Sequence, residues 1–246
     1  MKKVKIFLSH NENSYDAGML IKNEMNCPCE VVYIEDFVKN NNYNTIDEDD
    51  IIHFSCNSCL VYNVMEKIKN INCFIFNKEF IEKKYGKREF QLKLKDIGID
   101  IPKIYTDIKN LSFPIFLKEN SHTGIIIQAF TQKTVSILNE KFNDIDYYYE
   151  ESLTKKREET IEGKYYYSDG SVYAEDGHSV PKGIIDICNK IKNNINIDIY
   201  SIDVITKNEK CFVIDFNSSV GFYSSKYGRK GFINMVSRIL KDSNEN

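Results

Sequence analysis

Apolar and polar positions follow two rhythms over the first 76 residues. Short apolar runs at 4–9, 30–34, 50–54 and 73–76 have the length of strands. Between them, 13–25 (Ala17, Leu20, Ile21) and 61–71 carry apolar residues at helical spacing. Strands alternating with helices predict a small open α/β unit whose parallel sheet is covered on both faces. The polar stretch 40–50 reads as a connection too short to separate domains.

Beyond residue 77 the rhythm changes. The spacing predicts one helix over 80–97, stopped by Gly98 and Pro102. Runs at 113–118, 125–130 and 146–150, with a helix at 134–141, predict a β-rich piece over 101–150. Asp169-Gly170 between 164–168 and 171–174 is a strong hairpin signal. A helix over 184–193 precedes two apolar runs, 199–206 and 210–217, joined by Lys207-Asn208-Glu209-Lys210, and an amphipathic helix is expected over 232–240. The expected organisation is an N-terminal α/β domain, 1–76, then a second domain, 77–246, divided into subdomains at 101–150 and 151–246.

Composition narrows the function. At 246 residues and net charge −3, nothing pulls the chain as a whole toward nucleic acid or anionic membrane. No apolar run reaches the length of a membrane span, and the apolar stretch after Met1-Lys-Lys is too short for a signal peptide. A cytoplasmic protein is expected. Seven cysteines, an odd number, read as reduced thiols. The sharper alternatives are a zinc site from Cys27, Cys29, Cys56 and Cys59, or a redox pair at Cys56/Cys59. Tyr147–Tyr149 and Tyr165–Tyr167 read as strand filling rather than a stacking platform.

Candidate chemistry concentrates near the C-terminus. Asp203, Asp215 and Asn217 are hard oxygen donors set into apolar runs, the donor type magnesium prefers. Asp215 and Asn217 are two apart, so on a strand they leave the same face. A turn over 207–210 would bring Asp203 beside Asp215. An unpaired acid flanked by Val213, Ile214 and Phe216 would be costly, which favours a divalent-metal site. Upstream, Lys118 ends a strand above the polar loop 119–124, and Lys87 lies on a charged helix; both could hold phosphate oxygens. There is no Gly-x-x-x-x-Gly-Lys-[Ser/Thr] motif, so the phosphate site is not a P-loop.

From Asn77 to about Asp242 this order of segments resembles the ATP-grasp superfamily, nearest the ribosomal-protein glutamate ligases and other carboxylate–amine ligases. Gly86-Lys87-Arg88, the Gly98-Ile-Asp-Ile-Pro102 exit, Phe113-Pro-Ile-Phe-Leu-Lys118, Tyr149-Glu-Glu151-Ser-Leu153, Glu162-Gly-Lys164 and Asp215-Phe-Asn217-Ser-Ser-Val-Gly-Phe222 carry the likeness. The resemblance implies two subdomains that sandwich ATP. It implies a hinge at Glu151, Ser152 and Leu153 facing adenine, Glu162 on the ribose, and Lys87 and Lys118 on phosphates. Asp203, Asp215 and Asn217 would hold two magnesium ions. Lys164 would face the γ-phosphate or an acyl-phosphate, and Arg229 could hold a substrate carboxylate.

The departures are one glycine, Gly124, in the phosphate loop, Asp215 for the family's glutamate, Lys164 for its arginine and Val220 for its proline. The implied activity is ligation of a carboxylate on a small molecule, amino acid or peptide to an amine. Phosphotransfer, as in the related inositol-phosphate kinases, and a non-catalytic nucleotide module are the alternatives. His178 and the basic run 155–157 read as loop residues, and a homodimer is the base-rate expectation.

Overall fold

The computed structural model describes residues 3–10, 12–56, 58–121, 126–154, 161–220 and 225–242. Gly124, the run 155–157 and Gly221-Phe222, each singled out above, lie outside the described residues.

In chain order, the first part runs β1 (Val4–Leu8), α1 (Glu12–Glu24), β2 (Cys29–Tyr33), α2 (Ile34–Lys39), β3 (Ile51–Phe54), α3 (Leu60–Ile68) and β4 (Phe74–Ile75). Next come α4 (Lys78–Glu82), α5 (Lys87–Asp96), β5 (Ile104–Tyr105), β6 (Ile115–Glu119), β7 (Ile126–Ala129), α6 (Gln132–Lys141) and β8 (Tyr147–Glu151). The chain continues with β9 (Ile161–Ser168), β10 (Ser171–Ala174), α7 (Lys182–Asn194), β11 (Tyr200–Lys207), β12 (Lys210–Asn217) and α8 (Lys226–Asp242). Two units result: residues 1–84, 164–201 and 217–246 form one, and 85–163 with 202–216 form the other.

The first unit carries a parallel sheet in the order β2-β1-β3-β4, with Val4 paired to both Cys29 and Ile51. Alternation along β1 sends Val4, Ile6 and Leu8 into one core with Ile21, Phe76 and Phe232. Phe7 faces the other way, into a core with Phe37, Phe54 and Val64. Cys27 and Cys29 pack against the first core and Cys56 belongs to the second, on the opposite face of the sheet. The four-cysteine zinc site is therefore not formed. Burial pushes the Cys56 thiol up to about 12, which opposes the redox reading as well.

Asn77 ties three distant segments of this unit. It sits in the left-handed region (φ 59°, ψ 24°), which asparagine tolerates. Its Nδ2 donates to the carbonyls of Ile199 (2.6 Å) and Ser218 (2.8 Å), and its Oδ1 accepts from the amides of Asp198 and Ile199. All four hydrogen-bonding positions of the side-chain amide are filled. In the same unit α8 lies tight against the β9–β10 hairpin: a Cβ on Gly231 would come within 2.4 Å of Ser168 Oγ and 2.5 Å of a Tyr173 ring carbon.

The second unit is built on an antiparallel sheet in the order β5-β8-β6-β7. Leu117, Ile115, Ala129 and Val135 form its small core with Tyr105. The single helix expected over 80–97 is two helices. Lys84 adopts φ 51°, and Gly86 is extended at φ −71°, ψ 164°, so the chain turns between α4 and α5. The new N-terminus of α5 is capped from outside, by Asn120 Oδ1 accepting from the Arg88 amide at 2.8 Å. The turns expected at 169–170 and 207–210 form, with positive φ at both central residues of each (Asp169 and Gly170, Asn208 and Glu209). Helix α2 and the two-residue strand β5 are too short to leave a periodic signal.

Candidate functional site

Five strands, β6, β8, β9, β11 and β12, bring candidate residues of the second unit to one cleft. Its volume is about 650 Å³ counted out to the open mouth, and its walls include Lys118, Glu150, Glu151, Leu153, Glu162, Asp203 and Asp215. Six of these seven are residues that the sequence singled out. Phe116, Ile126, Ile205 and Ile214 supply an apolar side. A cleft of this size with a few convergent polar groups suits a small ligand.

Register explains the polar wall. Phe116 pairs with Glu150 and Lys118 with Tyr148, so Phe116, Lys118 and Glu150 leave the same face of the sheet. Lys118 is 7% exposed and Glu150 1%. The lysine ammonium bonds Glu150 Oε1 and donates to the Ile214 carbonyl at 2.9 Å. Burial pushes the Glu150 carboxyl up, and the Lys118 charge opposes that shift. Glu150 was missed by the sequence reading. In Tyr147-Tyr-Tyr-Glu-Glu151 either acid could face inward, and only the pairing with β6 selects Glu150.

Asp215 accepts from Lys87 Nζ at 3.1 Å, so the first residue of α5 reaches the acid of β12. With Lys87 included, five carboxylates stand against two lysines around the cleft. An anionic ligand such as a polyphosphate meets net repulsion there unless cations accompany it. Asp203 and Asp215 are hard donors, and magnesium is commonly held by one or two carboxylates, with waters and substrate phosphates completing its shell. The residues present therefore fit that ion. Among the described residues no group of three or more His, Cys, Asp and Glu side chains is gathered as a metal cage.

The remaining candidates stand differently. Asn217 is not among the residues lining the cleft, and its Oδ1 accepts from the Ser219 amide at 2.9 Å. Ser152 is buried; its hydroxyl accepts from Gln128 and donates to the Thr154 carbonyl. The Glu151 and Ser152 amides donate to the carbonyls of Lys103 and Pro114, and the Leu153 carbonyl accepts from Lys207. Most hinge hydrogen bonding is thus internal. Lys164 and Arg229 belong to the first unit. There Arg229 is buried and pairs with Glu24 at 3.2 Å.

No protein-family model matches the sequence, and no curated protein sequence matches it either. Solved structures do. A RimK-domain ATP-grasp protein from Sphaerobacter thermophilus superposes with a TM-score of 0.68 at 9% identity, over 94% of this chain and 96% of that one. D-alanine–D-alanine ligase from Bacillus anthracis, complexed with ATP, gives 0.67 at 13% identity over 98% of both chains. The ATP-grasp ligase PsnB, complexed with magnesium, ADP and a variant of its minimal precursor, gives 0.63 at 10% identity over 92% of this chain and 91% of that one. The chain has the ATP-grasp fold.

Proposed function

We propose that the protein is an ATP-dependent carboxylate–amine ligase. The observation that carries this reading is the cleft in which Lys118, Glu162, Asp203 and Asp215 converge beside an apolar wall. Support comes from the shared fold, since two of the neighbours named above are ligases crystallised with ATP, or with ADP and magnesium.

In this reading the apolar side takes the base, next to the hinge Glu151–Leu153, and Glu162 accepts from the ribose. Lys118 and Lys87 would hold phosphate oxygens, and Asp203 and Asp215 would hold magnesium. When bound, that ion neutralises charge on the phosphate oxygens. The γ-phosphoryl group passes to a substrate carboxylate oxygen and ADP leaves. An amine nitrogen then attacks the acyl carbon, losing a proton as phosphate departs and an amide forms. The chain's part is positioning and charge neutralisation. The acceptor class is an amino acid or peptide, PsnB being a ligase also crystallised with a precursor peptide.

Incubation with ATP, magnesium and pooled amino acids and peptides should release ADP and phosphate, with a hydroxamate trapped by hydroxylamine. Asp215→Ala should lower that release at least about a hundredfold, the usual scale for losing one charge-stabilising group. AMP as product, or turnover without hydroxamate, would overturn the ligase reading. The acidic balance of the cleft gives no support to a polyphosphorylated acceptor.

A further inference from the structure

Beside Asp215, helix α5 and strand β12 border a smaller cavity of about 210 Å³ counted out to its mouth, lined by Lys87, Phe90, Gln91, Asp215 and Phe216. The Phe90 and Phe216 rings, 4.2 Å apart, give it an apolar wall. Lys87 and Gln91 are four apart on α5, so they share one face of the helix. Helical side chains tilt toward the N-terminus, which leans Gln91 toward Lys87. Gln91 is 3% exposed, and its Oε1 has no hydrogen-bond partner among the described residues. Leaving a buried acceptor bare is costly, so such an atom calls for a donor in another state of the protein. The Lys87 ammonium, meanwhile, sits 3.1 Å from Asp215 Oδ1, the acid assigned above to magnesium. We propose that Gln91 is a positioning residue for Lys87: when Asp215 holds a divalent cation, the lysine ammonium passes to Gln91 Oε1 and stays directed at phosphate. This rests on the ligase reading only in placing magnesium and nucleotide in the cleft.

Charge sets the direction of the exchange. A carboxylate cannot serve an ammonium and a divalent cation at full strength, because the two cations repel across the few ångströms that it spans. An ammonium has three donors and no acceptor, so Lys87 needs acceptors in either state. A phosphate oxygen supplies one from the ligand, and Gln91 Oε1 supplies one from the chain. The amide is neutral. It therefore holds the ammonium without cancelling the charge that attracts phosphate, which a glutamate at this position would do. Rotation of the lysine side chain between staggered positions is enough for the exchange, with no movement of the helix.

Binding of a non-hydrolysable ATP analogue to the full chain is measured by calorimetry, with magnesium and with a chelator in its place. Gln91→Met keeps an unbranched side chain and removes the acceptor. It should weaken binding about tenfold with magnesium, the scale of one hydrogen bond to a charged group, and leave it unchanged with the chelator, where Lys87 still has Asp215. In a Lys87→Met background the same substitution should change nothing, because an effect that runs through one partner vanishes with it. No loss, an equal loss with and without magnesium, or a loss that persists in Lys87→Met would each overturn the proposal. If Gln91→Met fails to fold, the nitrogen resonance of the native Gln91 side-chain amide decides. It should move when magnesium and saturating analogue are added to the parent and stay in place in Lys87→Met; any other pattern overturns the proposal. A parent chain that does not bind the analogue with magnesium would overturn the ligase reading and this inference together, whereas binding indifferent to Gln91 overturns this inference alone.

Discussion

Lys118 is the residue on which the cleft's electrostatics turn. A buried lysine paired with a buried glutamate is stable as a pair and costly to break, because the survivor keeps a charge without its partner. Lys118→Ala should therefore destabilise the fold by about 3 kcal/mol in denaturant unfolding, while Lys118→Met with Glu150→Leu should recover most of that loss. Equal losses in the single and double variants would show that Lys118 acts through packing alone. At this scale the sequence was informative where a charged residue interrupts an apolar run, as at Lys118, Asp203 and Asp215. It was silent at Glu150, whose inward face follows from the register Phe116–Glu150 across two strands. It named Arg229 for a substrate carboxylate but held no sign of Glu24, 205 positions away, which engages the guanidinium.

Elements were legible in proportion to their local signals. Both two-residue hairpin turns announced themselves through Asp-Gly and through a polar break between apolar runs. The break between α4 and α5 did not, because Lys84 in a left-handed conformation has no signature in a charged stretch. The contact of α8 with the β9–β10 hairpin depends on a residue with no side chain. Gly231→Ala would force Tyr173 or the helix to move, and should cost about 1–3 kcal/mol despite the better helix propensity of alanine. Thermal unfolding compares it with Gly231→Ala in a Tyr173→Leu background, where the ring is gone and the penalty should shrink.

At the scale of the molecule the alternation of strands and helices made the N-terminal parallel sheet readable, while the ATP-grasp fold was reached through the resemblance carried by the ordered motifs from Gly86 to Phe222. The grouping of residues 164–201 and 217–246 with the N-terminal sheet was not readable, since it rests on contacts between segments far apart in the chain. One such contact makes stability depend on pH. His53 is fully buried against Phe76 and Phe232, and its Nε2 hydrogen-bonds the Val220 carbonyl at 2.8 Å. Burial pulls its pKa from 6.5 down to about 4, and the Val220 carbonyl only partly resists. The unfolded chain therefore binds the proton first. The stability held by neutral His53 is complete above about pH 6.5 and is lost as pH falls toward 4, on the order of 3 kcal/mol. Melting temperature measured from pH 7.5 to 4.5 should fall less steeply in His53→Gln than in the parent.

Asn77 carries a liability of another kind. Slow hydrolysis of its amide to a carboxylate would leave shape and volume unchanged while turning a double donor into an acceptor. Two carbonyl oxygens, those of Ile199 and Ser218, would then face a negative oxygen at hydrogen-bond distance. The joint that closes the first unit thus hangs on the two N–H donors of one side-chain amide, a dependence that Asn77→Asp would expose.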